Sequence, residues 1–152
     1  MRAVSQHVSV LLARILLSAF FLWNGANLIS AWVQNTDALG GQLTAVLGEA
    51  VGNQGVALAH LVLLLEVLCL LVGGLLLLIG FRGRLAALLL IIFLVPDTFV
   101  LHSFWTVAPP EVAEQLTHFL KNVGLLGGLL MVLGFGSGGF SVDLVMGRKK
   151  AA

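Results

Sequence analysis

Residues 55–80 read GVALAHLVLLLEVLCLLVGGLLLLIG, and Glu66 is the only Asp, Glu, Lys or Arg among them. A helix needs about 20 predominantly apolar residues to cross the hydrocarbon core of a bilayer. The stretch exceeds that length and lacks the polar alternation of a half-buried strand. It reads as a transmembrane helix. Outward from it, Val8–Trp32, Arg84–Leu101 and Leu116–Phe135 meet the same test, with Gly55–Gly80 as the second of four spans. The expected fold is all-α: an integral membrane four-helix bundle, one domain over residues 1–152.

Composition agrees. Of 152 residues, 59% are hydrophobic and 10% charged, where soluble domains run near ~45–50% and ~25%. Mean hydropathy is +1.07. A globule of this size still exposes roughly a third of its unfolded-chain surface, and that surface would be apolar enough to aggregate. A soluble enzyme, a nucleic-acid binder and a disordered regulator are excluded. Cys69 is the only cysteine and lies in an apolar run, so it reads as a small buried hydrophobe. A Cys-x-x-Cys pair and a thiolate metal cluster have no residues to build them, and no metal site is expected.

Charge placement gives the orientation. Arg2, Arg14, Arg82, Arg84, Arg148, Lys149 and Lys150 fall at one side of the four spans, while Lys121, Asp37, Glu49, Glu111 and Glu114 fall at the other. The positive-inside rule then puts both termini in the cytoplasm, in a bacterial-type cytoplasmic membrane. The apolar part of the first span is too long for a cleaved signal peptide. The link Val33–Gln54 reads as a loop with a weakly helical stretch over Leu39–Ala50. The second outer link carries Trp105 and Pro109–Pro110. Proline suits a first helical turn, and Glu111 and Glu114 complement its positive dipole end, so the fourth helix is expected to start near Pro110. Gly136–Gly139 reads as a flexible exit; the Gly-x-Gly-x-Gly that overlaps it, Gly134–Gly138, follows a transmembrane helix and not a strand, which excludes a dinucleotide loop.

Ionisable residues inside hydrocarbon are costly and face the bundle interior or an aqueous cavity. Helical phase puts Glu66, Gly73 and Gly80 on one face, Lys121, Gly124 and Gly128 on another, and Arg14, Ser18 and Gly25 on a third. Gly25, Gly73, Gly124 and Gly128 are therefore candidate close-contact positions, and Arg14, near the inner end, is expected to snorkel. At 1.5 Å of rise per residue, Asn24, Glu66, Asp97, Lys121 and Asn122 lie roughly 5–12 Å below the outer surface. His60, His102, Trp105 and His118 sit just above them. Pro96 removes a backbone hydrogen bond beside Asp97. The sum is a polar layer in the outer half of the bundle. It reads either as a site or as an ion-pair network in which Lys121 holds Glu66 and Asp97.

The same residues resemble the DoxX family of small four-span membrane proteins. The resemblance runs from Arg14-x-x-x-x-x-Phe20-x-x-x-x-Gly25, through Glu66-x-x-x-x-x-x-Gly-Gly, Gly80-x-Arg82 and His102-Ser-Phe-Trp105, to Phe119-Leu-Lys-Asn122-x-x-x-x-Gly-Gly128 and Phe140-Ser-Val-Asp143. It implies a subunit of a membrane oxidoreductase assembly that interacts with quinone. On that expectation Glu66 and Asp97 relay protons, while Lys121, Asn122, His102 and His118 hydrogen-bond the quinone and Trp105 packs against its ring. No electron-carrier motif is present, so electrons would come from a partner subunit. The alternative is a non-catalytic accessory subunit of a larger complex, marked by a glycine stripe left facing lipid. A b-type haem between two of His60, His102 and His118, and a small transporter, are the further alternatives. Expected partners are the lipid bilayer, other subunits or a second copy.

Overall fold

The computed structural model describes residues 2–47 and 55–150, with side-chain surroundings over 6–41 and 57–147. Those residues form six helices: α1 (Arg2–Ser30), α2 (Trp32–Leu47), α3 (Gly55–Ile79), α4 (Gly83–Val100), α5 (Pro109–Phe135) and α6 (Val142–Lys150). Four of them, α1, α3, α4 and α5, are long and apolar enough to cross a membrane. Pro109 and Pro110 open α5 as the sequence predicts. Glu49 lies outside the described residues.

The link after the first span differs from its reading as a loop. It is the helix α2, joined to α1 through Ala31 with helical hydrogen bonds on both sides: Ala31 N donates to the Asn27 carbonyl at 3.0 Å and Asn35 N to that of Ala31 at 2.9 Å. Gly40 and Gly41 weaken its intrinsic propensity, and packing against α3 compensates.

The membrane helices pack in the order α1, α3, α4, α5, and the ring is scarcely closed between α5 and α1. Phe21, Leu77, Leu90 and Leu129 form its fully buried centre with Ala86 and Ala87. Lipid supplies no hydrophobic drive between helices, so close backbone approach holds them together. A Cβ at Gly25 would stand 2.8 Å from Leu71, one at Gly73 2.9 Å from Leu90, and one at Gly128 3.1 Å from Leu17. Gly124 departs from the expected pattern: a Cβ there meets nothing within 4 Å. The Gly124-x-x-x-Gly128 pair therefore contributes one contact, not two.

The end that carries both termini is tightly bonded. α3 stops in a Schellman motif, with Gly80 N donating to the Leu77 carbonyl at 3.2 Å and Phe81 N to that of Leu76 at 3.0 Å. Gly80 has φ +70°, which glycine adopts without a Cβ penalty. Arg14 does not snorkel; it is 1% exposed. Its guanidinium donates to the Leu77 and Leu78 carbonyls at 2.9 and 2.7 Å and to those of Ser137 and Phe140 at 2.6 and 2.8 Å. The first two are carbonyls of the last turn, Leu77 shared with Gly80 N and Leu78 otherwise an orphan, where a cation also complements the dipole.

Asp143 does the converse at the start of α4. Its carboxylate accepts from the backbone N–H of Arg82 at 2.7 Å, that of Gly83 at 3.2 Å and the Ser137 hydroxyl at 2.9 Å. Arg82 itself has φ 47° and offers no side-chain cap. Burial alone would raise the Asp143 carboxyl, but these hydrogen bonds and the Arg14 charge bring it below the ordinary carboxylate value. The glycine segment is correspondingly not a loose exit. Ser137 is buried, Gly136 and Gly138 have φ +80° and +74°, and a Cβ at Gly138 would lie 2.7 Å from Val10.

Candidate functional site

At the far end α1 and α5 part, and the space between them is a cavity of about 330 Å³. It lies among α1, α3, α4 and α5. Glu66, Asp97, His102, His118, Lys121 and Asn122 all line it, and so do Asn24, Asn27 and Asn35 from α1 and α2. Phe20, Phe21 and Phe93 supply its aromatic wall. The rise per helical residue had already placed Glu66 and Asn24 in the polar layer. The contribution of α2 was not legible, because its helix was read as a loop.

Asp97 is the bonded carboxylate of the pair. Asn122, itself buried, donates to Asp97 Oδ2 at 3.0 Å, and His102 Nε2 stands 3.9 Å away. His102 Nδ1 meets Gln115 Oε1 at 2.9 Å. Its ring stacks on His118 with centroids 4.9 Å apart and planes 13° apart. Rings stacked face to face do not aim their nitrogens at a common point, so this pair is not a haem clamp. His60 packs elsewhere, against Trp32 at 6.1 Å.

Lys121 does not join the carboxylates. Its ammonium lies 3.3 Å from His118 Nδ1 and 5.2 Å from the centre of the Phe20 ring. No ion pair within 4 Å links it to Glu66 or Asp97 among the described residues. Because the α1–α5 seam is open, the stripe that carries Lys121 edges the cavity mouth and not a closed interface. The expected ion-pair network is absent. Glu66 consequently has no hydrogen bond or ion pair to another described residue, and the Asn24 amide has none either. Polar groups at membrane depth without intramolecular partners remain available to a ligand or water.

Trp105 also sits apart from its expected place. It is 55% exposed and packs with Phe99, Phe104 and Phe119 at 6.5, 5.0 and 5.9 Å. This cluster lies beside the α4–α5 link and does not line the cavity. Phe20, Phe21 and Phe93 hold the position that had been given to Trp105.

A second cavity of about 360 Å³ adjoins the first. The two share Glu66, Phe93 and Asp97; the remainder of the second is apolar and runs between α3 and α4 beneath Leu39 of α2.

Comparison with known proteins adds the family. The model of the SURF4 family matches residues 56–150, from the start of α3 through α6. The chain belongs to the SURF4 family. It is 34% identical over 144 residues to the inner membrane protein YqjF of Escherichia coli (strain K12), covering 95% of this chain and 96% of that protein. It is 33% identical over 67 residues to the Surfeit locus protein 4 homolog of Schizosaccharomyces pombe, covering 43% of this chain and 22% of that protein. No match was found among solved structures.

These matches overturn the resemblance to the DoxX family. Two of the fragments quoted for it, Gly80-x-Arg82 and Phe140-Ser-Val-Asp143, form the bonded end of the bundle. Any short helical membrane protein that must close a hairpin and cap its helix ends meets such demands, so they specify packing more than family. The expectation of an oxidoreductase assembly rested on that resemblance and loses its support with it.

Proposed function

We propose that this protein binds the polar head of a lipid-soluble molecule, which enters the far-end cavity sideways from the bilayer through the α1–α5 seam. One observation carries this reading: a polar cavity at membrane depth in which Glu66 and Asn24 lack intramolecular partners, beside a seam the helices leave open. A structural network would satisfy its own groups. This one leaves them for a ligand.

A quinone or quinol head fits the chemistry on the site's own terms. The Phe20, Phe21 and Phe93 rings offer an apolar aromatic wall, Lys121 and the Asn24 amide donate to ring oxygens, and Glu66 and Asp97 accept from quinol hydroxyls and exchange protons with them. The role is binding and proton exchange; electrons would be carried by a partner. The basic residues at the opposite end favour cytoplasmic termini, which puts the cavity in the leaflet away from the cytoplasm.

The test is gentle purification from the native membrane, with mass spectrometry of bound small molecules and co-purifying chains. The expected result is a stoichiometric quinone retained by the wild type and lost from Glu66→Gln. A wild type that carries neither quinone nor another polar-headed lipid removes the reading.

A second reading has its own observation. Gly124, Gly127 and Gly134 lie on one side of α5, and a Cβ at any of them would meet nothing within 4 Å. Such a stripe suits a close-packed partner helix, as an accessory subunit or a self-associating protein would need. A stable complex with a larger membrane enzyme and no bound quinone would favour it.

A further inference from the structure

Glu66 and Asp97 stand on a wall shared by two cavities of opposite character. On one side are the amides, imidazoles and Lys121. On the other, Leu39, Val62, Ile92, Pro96, Val100 and Leu101 line a groove whose only ionisable groups are those same two carboxyls. Ile92 and Val100 are 53% and 44% exposed, so the groove opens toward lipid. α2 covers its outer end through Leu39, which a loop in that place would not have fixed.

We infer that the ligand of the polar cavity carries a single hydrocarbon chain, laid in the α3–α4 groove with the head held at Glu66. This rests on the head-binding role proposed above and adds the ligand's class: a one-chain amphiphile whose head and tail lie on opposite sides of the Glu66–Asp97 wall. The physical ground is continuity. A molecule with its head among the polar groups must lead its chain out through apolar surroundings, and the groove is the apolar cavity that begins at the same carboxyls. The chain leads through the α1–α5 seam and passes the Glu66–Asp97 wall into the groove, and the head follows into the polar cavity. In the bilayer the chain exchanges lipid contacts for groove contacts, so its gain in affinity comes from close packing in the groove and not from removal of apolar surface from water.

The test compares two probes in wild type and variants reconstituted in lipid nanodiscs: a chainless benzoquinol, and the same quinol with a decyl chain. Ile92→Trp and Val100→Trp each fill the groove from a lipid-exposed position, so the bundle core is untouched. Leu16→Trp, at a position 72% exposed on α1 and away from both cavities, is the control. The expected result is that Ile92→Trp and Val100→Trp weaken the decyl probe about tenfold or more, with chainless binding unchanged. Leu16→Trp should weaken neither. Unchanged decyl binding in both groove variants overturns the chain's placement. Equal loss of both probes overturns it too, because the groove would then belong to the head. A wild type that binds neither probe brings down the head-binding reading itself, and the chain's placement with it.

Discussion

The two ends of this bundle handle polar groups at membrane depth in opposite ways. At the end with the termini, Arg14 is buried and spends its donors on four carbonyls, and Asp143 accepts from two backbone N–H groups and one hydroxyl. At the far end, Glu66 and Asn24 face a cavity without partners and Lys121 leans on a histidine and a ring. Residue type does not separate the ends, since both hold acids, a base and small polar groups. Satisfaction does. A saturated network fixes helix ends; an unsaturated one is open to something that is not part of the chain.

The largest effect expected from breaking this contrast comes from Arg14→Met. Methionine fills much of the volume but leaves the Leu78, Ser137 and Phe140 carbonyls without the Arg14 donor and Leu77 with the Gly80 N–H alone. Thermal unfolding in mild detergent should show a loss of about 3–5 kcal/mol, the range for disrupting a buried charged network. Lysine should recover only part of it, because a point charge cannot reproduce the planar fork. Glu66→Gln, at comparable membrane depth, should stay within about 1 kcal/mol of wild type. Equal losses at the two positions would erase the distinction between the ends.

Gly80→Ala comes next. Left-handed backbone costs an L residue roughly 1–2 kcal/mol, and the new Cβ would stand 2.5 Å from the Arg14 guanidinium and 2.7 Å from Ser141. A thermal midpoint close to that of wild type would show that the hairpin can shift without disturbing Arg14.

Asp143 gives a smaller, pH-dependent effect. Its folded-state carboxyl titrates below the ordinary value, near 3.9 in an unfolded chain. The stability it contributes is therefore fully present above about pH 4 and lost as pH falls through the folded value. Asp143→Asn should lower the midpoint at pH 7 and flatten its decline toward pH 3. A variant curve parallel to wild type would take Asp143 out of the linkage.

How much of this the sequence showed depends on where each partner comes from. The spans were legible because a bilayer demands length and apolarity, and both can be read along a chain. The rise per helical residue put Glu66, Asp97, Lys121 and Asn122 at one depth with His102 and His118 just above, and the structure lines one cavity with all six. What failed had distant or unspecific causes. The partners of Arg14 are backbone carbonyls, which every residue has, so no pattern announces them. α2 depends on packing against α3 more than on its own glycine-containing sequence. Lys121 lines the cavity without its expected ion pairs, because periodicity says which stripe a residue occupies, not whether the facing helix is there; Trp105 lies in a link, where periodicity says nothing.

The smallest expected effect is on α5. Gly124 shares its stripe with Gly128, yet a Cβ at Gly128 would press on Leu17 while one at Gly124 would meet nothing. In the isolated chain Gly124→Ala should be neutral, or raise stability by up to about 1 kcal/mol by reducing the backbone entropy lost on folding. Gly128→Ala should lower it. If α5 instead lies against a second helix in the membrane, Gly124→Ala would leave unfolding unchanged in detergent monomers but weaken recovery of the complex after chemical cross-linking in native membranes. The face would then be a third region, satisfied by another chain as Arg14 is satisfied by its own. Cross-linking identical to wild type would leave Gly124 facing lipid, and the far-end cavity as the part of the molecule still open to a partner.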